Sequence, residues 1–269
     1  MKLIFLDIDG TLTIPGENVP PQSALDAIRA ARENGHKVFL CTGRSRSMSE
    51  TVAAYGFDGA IYSAGGYIVC GGAVVYDHPM SADELRRVLD AMRDPDIFCI
   101  LETSETTFAD ADAESFSAAG NSEAVRWRKM LTESFDVRPM RDYRGEPVYK
   151  VSFLCTRRAA LEYPRQRLEG RFQFCLQDFL VGDTVNGELI NRDFDKGRAI
   201  RRVCDYLGAS IDDTIGFGDS MNDLDMIATA GIGVCMGNGS ETLKARSDRI
   251  CPPVDKDGLA TAFRELGLA

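Results

Sequence analysis

The chain has 269 residues, and 31 basic against 41 acidic side chains give it a formal net charge of −10. At roughly 150 residues per domain, that length makes two domains or one with a large insertion. With 44% hydrophobic and 27% charged residues it holds enough apolar material for a sizeable core, which excludes global disorder. The acidic balance argues against a partner with a phosphate backbone, because nucleic acid binding needs basic faces, while a local basic pocket for a small anion stays allowed. Leu3 to Leu6 is an apolar run too short for a signal-peptide core, and no run approaches the roughly 20 apolar residues of a membrane span. The eight cysteines lie far apart with no C-x-x-C pair, several inside apolar runs such as Phe39-Leu40-Cys41. They read as free thiols of a reducing, cytoplasmic setting. Two histidines, no H-E-x-x-H and no G-x-S-x-G make zinc and serine-triad chemistry poor candidates.

In chain order, Leu3 to Leu6 predicts a buried strand ending at Asp7. Residues 20–34 predict a helix with Ala24, Leu25, Ile28 and Ala31 on one face and Gly35 as its stop. Val38 to Cys41 is the next strand, a second helix runs to about Tyr55, and Ala60-Ile61-Tyr62 is a third strand. This βαβαβ rhythm predicts a doubly wound, mostly parallel α/β sheet with helices on both faces. Gly71-Gly72 between two apolar runs predicts a tight hairpin. Further on, helices are predicted at 82–93, 123–134 and 157–169, strands at 97–102, 148–155 and 172–176, and a loop at 103–122. The first rhythm then returns, with helix 197–207 stopped by Gly208, strand 214–217, a helix through Met226, strand 232–236, and helices near 240–246 and 258–266. The predicted organisation is a discontinuous core, 1–80 and 189–269, with an inserted α+β unit at 81–188.

Ligand sites of parallel sheets lie beyond the carboxyl ends of the strands, and four such ends carry chemistry. They are Asp7-Ile8-Asp9-Gly10-Thr11, then Thr42-Gly43-Arg44, then Lys196 ahead of its helix, then Gly218-Asp219-Ser220-Met221-Asn222-Asp223. Packed together, Asp7, Asp9 and Asp219 repel one another, and a hard cation such as Mg²⁺ relieves that repulsion using carboxylates, waters and phosphate oxygens. Lys196 with the hydroxyl and amides around Thr42 then forms the positive side of a phosphate pocket. An aspartate held there can attack phosphorus, and a second, two residues on, can protonate the leaving oxygen. Singly, these features have plainer readings. Thr42 can cap a helix, a lysine is ordinarily solvated, and Asp223 can start a helix. The D-x-D-G-T string is more specific, with about 0.003 chance occurrences expected in a chain this long.

These residues resemble the haloacid dehalogenase-like phosphohydrolases, in particular the Cof-type group with a C2-type cap. Asp7 to Thr11 match the first motif, Thr42 the second, Lys196 the third, and Gly218 to Asp223 the fourth. Val234 to Gly239 is similar to the group's ending, and Asp257-Gly258 is a further minor match. One departure stands after the third strand, where many relatives carry Asn-Gly and this chain has Ser63-Ala64-Gly65-Gly66. The resemblance implies a Mg²⁺-dependent phosphatase with a phospho-aspartyl intermediate on Asp7. Asp9 would be the general acid/base, touching the metal through its carbonyl. Thr42, Gly43, Lys196 and Asn222 would hold the phosphoryl group, and Asp7, Asp9, Asp219 and Asp223 the metal. The inserted unit would be a lid that selects the substrate, a small phosphomonoester such as a sugar phosphate or phosphorylated cofactor. A phosphotransferase or mutase on the same scaffold is the alternative reading, and a phosphate-binding regulatory protein a third. Arg126, Arg128, Arg141 and Arg144 are expected to be solvated, and Phe153, Phe172, Phe174 and Phe179 to be core of the inserted unit. Monomer and homodimer are both compatible with the sequence.

Overall fold

The structure, a computed structural model, describes residues 1–109, 137–177 and 183–269. Its first stretch forms β1 (Leu3–Leu6), α1 (Gln22–Glu33), β2 (Lys37–Cys41), α2 (Arg46–Ala53), β3 (Gly59–Tyr62), β4 (Tyr67–Cys70) and β5 (Ala73–Asp77). There follow α3 (Ala82–Ala91), β6 (Ile97–Thr103), β7 (Thr107–Ala109), β8 (Val137–Pro139), β9 (Val148–Cys155), α4 (Glu162–Leu168), β10 (Phe172–Gln177) and β11 (Val185–Asn191). The last stretch forms α5 (Lys196–Leu207), β12 (Thr214–Gly218), α6 (Leu224–Thr229), β13 (Ile232–Cys235), α7 (Glu241–Lys244), β14 (Arg249–Ile250) and α8 (Gly258–Glu265). Two units result: Met1–Arg44, Ser49–Asp77 and Phe194–Ala269 make the first, and Ser45–Met48 with His78–Asp193 the second.

The first unit is an eight-stranded sheet in the order β14-β13-β12-β1-β2-β3-β4-β5. β1 runs parallel to both β12 and β2, and Leu3, Ile4, Phe5 and Leu6 are wholly buried, which is why that strand reads as an unbroken apolar run. Helix α5 lays Ala199, Ile200, Val203 and Cys204 against Leu3, Phe5, Phe39, Ile61 and Ile68. The β4–β5 hairpin turns at Gly71 and Gly72, both at positive φ (57° and 85°), as a tight two-residue turn demands.

The second unit is a six-stranded sheet in the order β10-β11-β9-β6-β7-β8. Leu85 and Val88 of α3 and Leu168 of α4 share one core with Leu101, Val151, Phe153, Phe172 and Leu189, and Phe174 packs against it, so three of the four aromatic residues are core as expected. Arg141 and Arg144 are exposed. Arg126, Arg128, Phe179 and the helix expected at 123–134 lie outside the described residues. The helix expected at 157–169 is a 3₁₀ turn, Arg158–Leu161, and only then α4, because Pro164 lacks an N–H and fits an α-helix only in its first turn. The loop expected at 103–122 contains β7, whose three residues are buried. Strand β11 was not foreseen, and it runs through 188/189, the expected junction, pairing with β9 and β10. No disulfide joins any of the eight cysteines, and among the described residues no helix is long and apolar enough to cross a membrane.

Candidate active site

In the register of the parallel sheet Leu6 lies between Leu40 of β2 and Phe217 of β12. The residues just beyond, Asp7, Cys41-Thr42 and Gly218-Asp219, therefore emerge side by side at the carboxyl ends. The strand order runs outward in opposite directions from there, β2-β3 one way and β12-β13 the other, which makes a crevice at a switch point. The Asp7 amide donates to the Phe217 carbonyl at 3.0 Å and the Thr42 amide to Ile61 at 2.9 Å, so backbone bonds continue the sheet into the loops.

Lys196 enters as the first residue of α5, whose N-terminus is capped by the Asp195 side chain accepting from the Arg198 amide at 2.6 Å. It is 1% exposed, and its ammonium donates to Asp7 Oδ1 at 2.6 Å and Asp223 Oδ1 at 2.5 Å. The other oxygen of Asp223 accepts from the amides of Asp219 (3.0 Å) and Ser220 (3.1 Å), so one carboxylate both shapes the turn after β12 and answers the lysine. A side chain at Gly218 would collide with that carboxylate. Gly10, at φ +81°, lets the first loop close on Asp219, whose carboxylate a Cβ there would strike.

Asp7, Asp219 and Asp223 each offer an oxygen within 4.8 Å of the others. Burial and then the Asp223 charge raise the Asp7 carboxyl well above its ordinary range, with Lys196 opposing. Burial, then Asp223, pushes the Asp219 carboxyl up to about 7. Burial works to lower the Lys196 ammonium, but the charges of Asp223 and Asp7 outweigh it and hold it protonated. Oδ1 of Asp219 is buried and accepts no hydrogen bond. An orphaned carboxylate oxygen is costly. Three carboxylates against one ammonium, with that oxygen buried and without a donor, fit a hard divalent cation with oxygen ligands.

The carboxylate of Asp9 stands outside that group and meets Arg44. Its Oδ2 accepts from Arg44 Nε at 2.8 Å and its Oδ1 from Arg44 Nη2 at 2.6 Å, while Arg44 Nη1 donates to Asn18 Oδ1 at 2.6 Å. Thr42 is buried, and its Oγ1 accepts from the Arg44 amide at 3.0 Å, which leaves the hydroxyl a hydrogen to donate. The Asn222 side-chain amide nitrogen sits 3.8 Å from where a Cβ on Gly43 would stand, and its Oδ1 accepts from the Ser220 hydroxyl at 2.7 Å. The pairing of Arg44 with Asp9 was missed, although Arg44 stands in view two residues after Thr42. Asn18 gave no signal at all. Asn238 joins the first loop to the C-terminal one, donating to the Gly10 carbonyl at 2.8 Å and accepting from the Val254 amide at 2.9 Å.

A family model described as haloacid dehalogenase-like hydrolase matches residues 4–263. YkrA of Bacillus subtilis strain 168 is 29% identical, covering 99% of this chain and 98% of its own length. The pyridoxal phosphate phosphatase YbhA of Escherichia coli K12 is 25% identical over 96% of each chain. A solved structure from Geobacillus kaustophilus HTA426 matches with a TM-score of 0.81 at 28% identity, covering 100% of this chain and 99% of that one.

Proposed function

This chain belongs to the haloacid dehalogenase-like hydrolases, and from that premise we propose that it is a Mg²⁺-dependent phosphatase of small phosphomonoesters that works through a phospho-aspartyl intermediate. As an enzyme it is a phosphomonoester hydrolase, the activity for which relatives such as YbhA are named. The observation that carries the finer reading is the buried, undonated oxygen of Asp219, a residue whose carboxylate groups with those of Asp7 and Asp223. Asp7, Asp219 and Asp223, with the Asp9 carbonyl, are the residues that would hold Mg²⁺; when bound, the ion supplies positive charge to the carboxylates and phosphoryl oxygens.

A carboxylate oxygen of Asp7 attacks phosphorus and forms the acyl phosphate. The bond from phosphorus to the ester oxygen breaks, and Asp9 gives that oxygen its proton. Asp9 then takes a proton from water, whose oxygen attacks the same phosphorus and releases inorganic phosphate, regenerating Asp7. Lys196 and the Thr42 hydroxyl hold the phosphoryl oxygens, on which charge is spread in the transition state. The inserted unit, in this reading, is the lid that selects the rest of a small phosphorylated metabolite. A cytoplasmic setting rests on eight cysteines without a disulfide, and the net charge of −10 suits a small-molecule substrate rather than nucleic acid. The test is a panel of metabolite monoesters assayed with Mg²⁺ and with a chelator. Chelator-sensitive release of inorganic phosphate is expected, and an isomeric phosphate ester as the product would point instead to a mutase.

The raised carboxyls give a second prediction. Unfolded, Asp7 and Asp219 ionise near pH 4; folded and metal-free, burial and Asp223 hold their protons on, Asp219's to about pH 7. Over that window the folded state binds more protons than the unfolded one, so metal-free stability falls as pH rises. Mg²⁺ needs these groups deprotonated. The rise in melting temperature on adding Mg²⁺ is therefore expected to be larger at about pH 8 than at about pH 5.5; an equal rise at both would count against the carboxylate cage.

A further inference from the structure

We infer that Arg44 is a positioning residue, one that sets the carboxylate of Asp9 in place for proton transfer; the inference rests on the phosphatase reading above. The Asp9 side chain is 47% exposed and the Arg44 side chain 10%. A half-exposed aspartate left to itself rotates among its staggered wells. Here a planar guanidinium meets both oxygens, which fixes the carboxylate's direction as well as its distance.

Exposed ion pairs usually hold little, but this guanidinium is itself held at several points. Its third nitrogen donates to Asn18 Oδ1 at 2.6 Å. Its backbone amide donates to Thr42 Oγ1 at 3.0 Å, and its carbonyl accepts from the Ser63 amide at 2.8 Å. The neighbouring Ala64 amide donates to the Thr42 carbonyl at 2.9 Å. Ser63 and Ala64 are consecutive residues with side chains at φ +49° and +57°, a region disfavoured for both. A strained turn thus spends both of its amides on the Thr42–Arg44 segment. Backbone of this kind persists only where its surroundings over-determine it, as at functional sites.

An acid/base group transfers a proton only from within hydrogen-bond reach. The leaving group decides how much that matters: a departing alkoxide must be protonated, whereas a nitrophenolate leaves without help. Hydrolysis of the acyl phosphate is the same step for every ester, so loss of Arg44 is expected to show its dependence on leaving group in the first step, read as release of the alcohol or phenol in a single turnover.

The experiment compares glycerol 3-phosphate with p-nitrophenyl phosphate in four variants. In Arg44→Ala, the single-turnover rate of leaving-group release is expected to fall on the order of 10²-fold on the alkyl ester and under about 10-fold on the aryl ester, with the half-saturating ester concentration little changed. Asp9→Asn is expected to show the same pattern at greater size, and Arg44→Ala combined with Asp9→Asn to be no slower than Asp9→Asn alone. Asn18→Ala keeps the ion pair while loosening Arg44, so it is expected to show the pattern in smaller measure, and it serves as the test should Arg44→Ala fail to fold. Equal losses in single-turnover release from the two esters, a rise in the half-saturating concentration as the main effect, or losses that add in the double variant would overturn the assignment. Should Asp9→Asn itself not distinguish the esters, the acid/base role in the phosphatase reading is what fails, and the role of Arg44 falls with it.

Discussion

Asp7→Asn is expected to lower phosphate release on the order of 10⁴-fold or more on every ester, aryl esters included, because the amide offers no anionic oxygen to phosphorus. The same substitution is expected to leave the fold intact. Burial, and next the Asp223 charge, make the ionised Asp7 carboxylate costly in the folded state. A neutral amide removes that cost, and Lys196 keeps its bond to Asp223. At about pH 8 the metal-free variant should melt no lower than the parent, since a group whose folded pKa is raised penalises the fold above that pKa. Steady-state phosphate release and thermal melts on the same samples separate the two effects. Turnover near the parent's would sink Asp7 as nucleophile, and a large drop in melting temperature would show that Asp7 is chiefly structural.

Lys196→Met is expected to damage both properties at once. It leaves two carboxylates, Asp7 and Asp223, without the ammonium that both contact, and all three side chains are at most 6% exposed. Removing one partner from a buried ionic cluster costs about 3–5 kcal/mol. The loss should depend on pH in a definite direction. As pH falls, Asp7, whose carboxyl burial already raises, takes up its proton and the penalty shrinks, so parent and variant should converge in acid and diverge above neutrality. Added Mg²⁺ should restore part of the lost stability, as it offers another positive partner to the same oxygens. Turnover should not return with it, because the transferring phosphoryl group has still lost a cationic contact. Denaturant melts across pH with and without Mg²⁺ would show this, and a penalty independent of pH would mean that Lys196 serves packing rather than charge.

The parts of the molecule legible in the sequence are those where local pattern and final environment agree. Leu3 to Leu6 is apolar throughout because β1 is covered on both faces, and Gly71-Gly72 marks a hairpin because few residues tolerate its dihedrals. Strand β11 escaped detection because its middle, Asn186-Gly187-Glu188, reads as turn. Its polar face finds partners across the sheet, where Glu188 meets Lys150 of β9 at 2.7 Å and Lys150 meets Glu102 of β6 at 3.3 Å. Charges that cancel between strands distant in sequence are invisible to periodicity. At the site, the motifs identified side chains but not their directions. The resemblance sets Asp9 apart as a ligand through its carbonyl, and among the described residues the carboxylates that converge are those of Asp7, Asp219 and Asp223. The direction of Asp9 was decided by Arg44 and Asn18, neighbours that its own loop does not announce.

The pairing of β1 with β12 has a consequence for how the chain is made. One of the two edges of Leu3 to Leu6 waits for Thr214 to Phe217, made more than two hundred residues later. Over that interval the nascent protein carries a wholly apolar ribbon with one side unmatched, the condition under which aggregation competes with folding and chaperones are called upon. The strand pairs of the inserted sheet, by contrast, all close among residues 97–191 and can be complete while that wait continues. The cluster of Asp7, Lys196, Asp219 and Asp223 is thus assembled only after that wait, and a chain cut short before Asp219 lacks two of its four members.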